Sequence, residues 1–170
     1  TYGIPLIEDS TEALGSFKKG KHAGSYGLTG VLSFNGNKII STGGGGMILT
    51  NDKDIANRAK HITTTAKTDP LDYFHDEVGY NYRLVNILAA IGVAQMEKFE
   101  SILKRKKEID ALYRKELKGV GDIKFQENDT NSDPNCWLFT FRTKKMRALL
   151  DHLNSHEIQS RPFWTPMNNL

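Results

Sequence analysis

Apolar and polar positions along the chain fall into blocks that predict an α/β fold. Ile4-Pro5-Leu6-Ile7 is an apolar run closed by Glu8 and Asp9. Its length predicts a strand buried on both faces, as in a parallel sheet, with two carboxylates at its carboxyl end. Ser10 to Phe17 turns away, with Gly15 as breaker, and Lys18-Lys19-Gly20-Lys21 reads as an exposed turn. Tyr26 to Phe34 and Gly45 to Thr50 are two further strands. Asn51 or Asp52 suits a helix N-cap, and a helix is predicted over about 53–64. Residues 65–80 are polar, contain Pro70 and lack a period, which predicts a long surface loop. Leu84, Leu88, Ile91, Phe99, Ile102, Ile109 and Leu112 then recur every three or four positions. That rhythm predicts one long helix over about 84–118, stopped by Gly119 and Gly121. It is apolar at its start and charged at its end, which suits a helix leaving one domain for the next, with a division at 98/99. Strands are expected at Ile123–Gln126 and Cys136–Arg142, a helix at Lys144–His156, and an extended Ser160–Trp164.

Composition narrows the class. The 170 residues are 38% hydrophobic and 25% charged, a globular balance. The net charge of +3 is too small and too dispersed to imply nucleic acid. The basic run Lys104 to Lys107 has Glu100, Glu108 and Asp110 near it and reads as a solvated helix face. Cys136 is the single cysteine, so no internal disulfide forms, in agreement with a reducing, cytoplasmic compartment. No apolar run reaches the roughly 18 residues of a membrane helix, and no signal peptide is visible. The chain starts without methionine on a strand-like run and ends without a closing element, which leads us to expect part of a longer protein.

Candidate chemistry centres on Val31 to Met47, where a strand ends in a polar turn bearing Lys38 and the glycines Gly43 to Gly46 follow. Lys38 is either an ordinary exposed turn lysine or a sheltered amine able to attack an aldehyde and shuttle a proton. Ser33, at the strand end, either closes a local hydrogen bond or receives a phosphate. Asp9 either caps Thr11 and Glu12 or holds a positively charged ring nitrogen. The glycine run matches neither a dinucleotide fingerprint nor a P-loop, and fits close backbone approach instead. His152 and His156 are spaced for a metal on one helix face, but no third ligand accompanies them, so no metal site is assigned.

The blocks Ile7-Glu8-Asp9-Ser10-Thr11-Glu12-Ala13-Leu14-Gly15, His22-Ala23-Gly24-Ser25-Tyr26-Gly27, Leu32-Ser33-Phe34-Asn35-Gly36-Asn37-Lys38, Gly43 to Gly46 and Gly79-Tyr80-Asn81-Tyr82-Arg83-Leu84, with Arg161-Pro162, together resemble one family. It is the pyridoxal-phosphate-dependent sugar aminotransferases of the DegT/DnrJ/EryC1/StrS group, and the wording is most similar to its LegC-like branch. The resemblance implies fold type I, the aspartate-aminotransferase-like α/β fold. Residues 1–98 would be the C-terminal part of the large cofactor-binding domain and 99–170 the start of the small α+β domain. It implies that Asp9 pairs with the pyridine nitrogen, Lys38 is the Schiff-base lysine and proton carrier, and Ser33 binds the cofactor phosphate. Asn81 would reach across a homodimer to the neighbour's cofactor phosphate, and Arg83 would anchor that segment. Glu12 stands where the family often has Gln or His, and the resemblance implies that it is a cofactor-binding residue, in contact with the cofactor ring or its 3-oxygen. The family's phosphate-binding loop and ring-stacking aromatic would precede the residues given.

The expected activity is amino transfer, from glutamate, to a keto sugar carried on a nucleotide. The sugar would be a 4-keto-6-deoxy sugar for cell-surface polysaccharide. The alternatives are a catalytically idle cofactor-binding domain and a sugar 3-dehydratase. Dehydratase members replace the lysine by histidine, so Lys38 favours transamination.

Overall fold

The computed structural model describes residues 2–170. They divide into two compact units, 2–110 with Asn128–Leu138, and Ala111–Glu127 with Phe139–Leu170. The first unit is built on a three-stranded sheet of β1 (Ile7–Asp9), β4 (Thr29–Ser33) and β5 (Gly46–Leu49), in the order β1-β4-β5. β1 runs parallel to β4, with Asp9 opposite Val31, and β5 runs antiparallel to β4. A second small sheet joins β2 (Phe17–Lys18), β3 (Lys21–His22) and β7 (Ser132–Asp133). The Lys18–Lys21 turn is therefore the tip of a hairpin, with Lys19 and Gly20 both in the left-handed region.

Leu32, Phe34, Ile39 and Ile40 form the buried core, with Leu14, Leu49, Phe99, Ile102 and Trp137 packed against it. The core therefore lies directly beneath the Lys38 turn. β1 departs from the sequence expectation. It is not buried on both faces: Ile4, Leu6 and Ile7 are all exposed. One edge of β1 pairs with β4.

Asp52 caps α1 (Lys53–Thr63), its Oδ1 accepting from the N–H groups of Asp54 and Ile55 at 2.9 and 3.0 Å. The expected helix over 84–118 is two helices, α2 (Asn86–Glu97) and α3 (Phe99–Glu116), separated at Lys98. No residue of α2 is buried. The glycine run is a packing device in part: a Cβ on Gly45 would lie 2.6 Å from Leu84 Cδ1, and one on Gly46 2.5 Å from Leu32 O. Gly43 and Gly44 have open space around them.

The second unit carries β6 (Lys124–Phe125) paired antiparallel with β8 (Phe141–Arg142), and α4 (Met146–Ser155). The strand expected at 136–142 is thus reduced to its last two residues. Tyr113 stacks on Phe139 at 4.6 Å, and Phe125 and Phe141 complete an aromatic cluster.

Glu8 locks the loop that precedes β4. Its Oε2 accepts from Gly24 N–H at 2.8 Å, and its Oε1 from Tyr26 and Gly27 N–H. Burial pushes the Glu8 carboxyl up, but the N–H donors of Gly27, Gly24 and Tyr26 outweigh it and hold it below the usual value. A carboxyl depressed on folding adds stability that is present above its unfolded pKa and lost as pH falls through the folded one. Glu8→Gln should therefore lower the melting temperature at neutral pH, by about 1–3 kcal/mol of stability. The gap to wild type should shrink in acid. A gap that is constant with pH in thermal melts would refute the ionic role.

Candidate active site

The end of β4 and the turn after it present Ser33 and Lys38 toward the turn after β1. Lys38 Nζ makes an ion pair with Glu12 Oε1 and lies 5.0 Å from the centroid of the Trp137 ring. Its side chain is only 12% exposed. That sets aside the ordinary reading of a lysine waving in a glycine-flanked turn. An ammonium is sheltered in this way only with a counter-charge, and Glu12 supplies it.

Thr11, Glu12, Leu14, Ser33, Lys38, Ile39 and Trp137 line a small cleft here. Glu12, Ser33 and Lys38 are thus brought together at one cleft. Asp9 and Asn81 do not line the cleft. Asp9 stands exposed at the end of β1, and its Oδ1 accepts from the Thr11 hydroxyl at 2.8 Å and the Thr11 N–H at 3.3 Å. The local bond to Thr11 is therefore made, but no helix follows and Glu12 takes no part in it. The Thr11 hydroxyl, then its N–H, lower the Asp9 carboxyl below its usual range, the positive charge of Lys38 adds to this, and slight burial opposes it. That bond does not exclude a second partner, because a carboxylate has about four acceptor sites. Ser33 Oγ likewise accepts locally, from Asn35 N–H at 3.3 Å.

Asn81 lies on a segment laced to the end of α1. Tyr80 N–H donates to Ile62 O at 2.7 Å, Tyr82 N–H to Thr63 O at 3.0 Å, and Asn81 bridges Thr64. Arg58 pairs with both oxygens of Glu77, and His61 Nε2 lies 2.8 Å from Asp76 Oδ1. The loop expected at 65–80 is thus tied down. His61, Asp76 and Glu77 could in principle hold a cation. The Arg58 guanidinium already neutralises Glu77, and ion pairing accounts for the cluster. His22 is structural as well: its Nε2 accepts from Gly15 N–H at 2.9 Å.

Two features were not read from the sequence. Asn135 is buried, and its side-chain amide donates to Glu12 O at 2.7 Å and Leu14 O at 2.9 Å. Trp137 donates its indole N–H to Asn37 O at 2.6 Å. Both act across more than ninety positions of chain, so no local pattern marks them.

The sheltered Lys38–Glu12 pair and Ser33 thus line one small cleft, with Asp9 outside it. The model of the DegT/DnrJ/EryC1/StrS aminotransferase family matches residues 1–170, and the chain belongs to that family. EpsN of Bacillus subtilis (strain 168), named as a pyridoxal phosphate-dependent aminotransferase, is 36% identical over 170 residues, 98% of this chain and 44% of EpsN. GDP-perosamine synthase of Escherichia coli O157:H7 is 37% identical over 168 residues, 97% of this chain and 46% of the synthase. Among solved structures, the sugar aminotransferase CalS13 of Micromonospora echinospora superposes with a TM-score of 0.82 at 28% identity, covering 90% of this chain and 43% of CalS13. DesV of S. venezuelae gives 0.84 at 27% identity, covering 91% and 42%. The fold is therefore that of the pyridoxal-phosphate aminotransferases of this family. The chain spans less than half the length of these relatives.

Among the described residues no helix is long and apolar enough to cross a membrane.

Proposed function

We infer that the chain is part of a pyridoxal-phosphate-dependent aminotransferase that moves an amino group from glutamate to a keto sugar carried on a nucleotide. The names of relatives such as GDP-perosamine synthase and UDP-4-amino-4,6-dideoxy-N-acetyl-beta-L-altrosamine transaminase support a nucleotide-sugar substrate. A 4-keto-6-deoxy sugar for cell-surface polysaccharide is the finer reading, and the cytoplasm is its setting. A homodimer, with Asn81 reaching the neighbouring site, belongs to the same reading.

One observation carries it. Lys38 is sheltered beside a carboxylate whose second oxygen, Glu12 Oε2, is buried with no hydrogen-bond partner. A buried partnerless oxygen next to a lysine is what a site shaped for a further polar group leaves behind. The residues fit the cofactor in charge as well: an anionic Asp9 for a positively charged ring nitrogen, and Ser33 as a hydroxyl donor to phosphate. Lys38 would hold pyridoxal phosphate by its aldehyde, and the cofactor would supply there an electron sink for moving an amino group and a proton between two carbon skeletons.

The chain's own residues do the rest. Lys38 Nζ gives and takes the proton, and its shelter keeps bulk water from competing for it. Glu12 Oε1 holds the Lys38 head group in place. Asp9 keeps its negative charge because Thr11 stabilises the ionised form. Borohydride reduction of the protein loaded with pyridoxal phosphate should leave the cofactor on the Lys38 peptide. Label on another lysine refutes the assignment. Cofactor held on Lys38 but never converted by glutamate would favour the idle-domain reading.

A further inference from the structure

The Lys38 head group is gripped by a stretch of chain that none of the assigned roles uses. Asn135, 5% exposed, spends its side-chain amide on the carbonyls of Glu12 and Leu14, and its backbone N–H donates to Ser16 Oγ at 3.0 Å. Its Oδ1 accepts from Trp137 N–H at 3.0 Å. Cys136, between them, takes a left-handed φ of 53°, a conformation an L-residue adopts only when its surroundings impose it. That turn delivers the Trp137 indole to the Lys38 turn. Its N–H holds the carbonyl of Asn37, the residue before Lys38, and its face lies within cation–π range of Lys38 Nζ.

Both members of the Glu12–Lys38 pair are thus fixed by one three-residue brace. Asn135 sets the Glu12 turn, and Trp137 sets the Lys38 turn and its charged end. Packing alone would explain a large apolar side chain against the core. It would not explain an N–H aimed at the lysine turn together with a ring face under the ammonium.

We propose that Trp137 is a positioning residue for Lys38, its N–H fixing the turn and its ring face orienting the amine toward the cofactor. This rests on the function inferred above. A misplaced reacting group can cost about 10²-fold, which sets the scale expected here.

The test compares wild type, Trp137→Phe and Trp137→Leu. The first readout is capture of pyridoxal phosphate by the cofactor-free protein, followed by timed borohydride reduction and quantitation of the Lys38 peptide. The second is the half-reaction of the loaded protein with glutamate, read as separate kcat and KM. Melting temperature serves as the structural control. Trp137→Leu should slow capture and lower kcat by roughly 10- to 100-fold, leaving KM near wild type. Trp137→Phe, which keeps the ring face, should recover most of the loss, with a residual deficit for the missing N–H. Wild-type capture in both variants overturns the proposal, as do losses that merely follow melting temperature. If Trp137→Leu does not fold, Trp137→Phe decides: slower capture at unchanged melting supports the role, and wild-type capture overturns it. If wild type itself never places cofactor on Lys38, the inferred function fails and this proposal falls with it, an outcome distinct from the others.

Discussion

Replacing Lys38 by alanine is expected to lower amino transfer by about 10²–10⁴-fold, the contribution of a positioned proton carrier. The cofactor should become removable by gel filtration. Two effects are joined in that variant. The amine is lost, and Glu12 loses the cation that its half-buried carboxylate faces. Lys38→Arg separates them. A guanidinium can still pair with Glu12 and lie over Trp137, but it stays protonated and cannot act as a nucleophile or proton carrier near neutral pH. Both variants should be inactive, while the arginine variant should melt closer to wild type. Activity in Lys38→Arg above a few per cent of wild type would remove Lys38 from the chemistry. A shared loss of folding would make it a structural cation instead.

The Lys38 turn was legible in the sequence because its signals are local: a strand end, one lysine, one serine and a glycine run within Val31 to Met47. The α1 cap, read as Asn51 or Asp52, and β5, read as Gly45 to Thr50, were legible for the same reason, and the structure settles on Asp52 and Gly46–Leu49. Long-range features were not. Trp137 looked like the interior of a strand, yet it lies in an irregular segment shaped by Cys136 and docked on Asn37. Glu8 read as one more carboxylate at a strand end, because its three N–H donors come from a loop sixteen to nineteen positions later.

Two expectations failed for a different physical reason. Apolar periodicity cannot distinguish one helix from two consecutive ones, so the break at Lys98 left no trace in the rhythm from Leu84 to Leu112. The apolar run before Asp9 correctly marked a strand but not its burial. Hydrophobicity reports what a segment is built to bury, and the partner need not lie within the same stretch of chain. Glu12 was open in the sequence, and the structure sharpens it: its Oε1 is committed to Lys38 while its Oε2 is buried without a partner.

Asp9→Asn should cost about 10²–10³-fold in the glutamate half-reaction, the scale for removing one preorganised electrostatic group. The substitution suits the site because an asparagine oxygen can still accept from the Thr11 hydroxyl and N–H. The turn is kept and only the negative charge goes. Without that charge a ring nitrogen has no partner to keep it protonated, and the electron sink weakens. The pH dependence follows from the direction of the Asp9 shift. Thr11 holds the carboxyl below its usual range, so Asp9 stays charged as pH falls, down to its lowered pKa. Across pH 5 to 9 the ratio of wild-type to Asp9→Asn rates should therefore be flat in any contribution from Asp9 itself. Thr11→Val removes the first of the stabilising donors and lets the carboxyl rise toward its ordinary value. Its deficit should be slight at neutral pH and grow in acid, as protonation begins to neutralise the group. Near-wild-type turnover in Asp9→Asn would leave Asp9 with the local bond to Thr11 alone. An acid-dependent loss in Thr11→Val together with a flat, large loss in Asp9→Asn would identify the ionised carboxylate, and not the turn it holds, as the group the reaction needs.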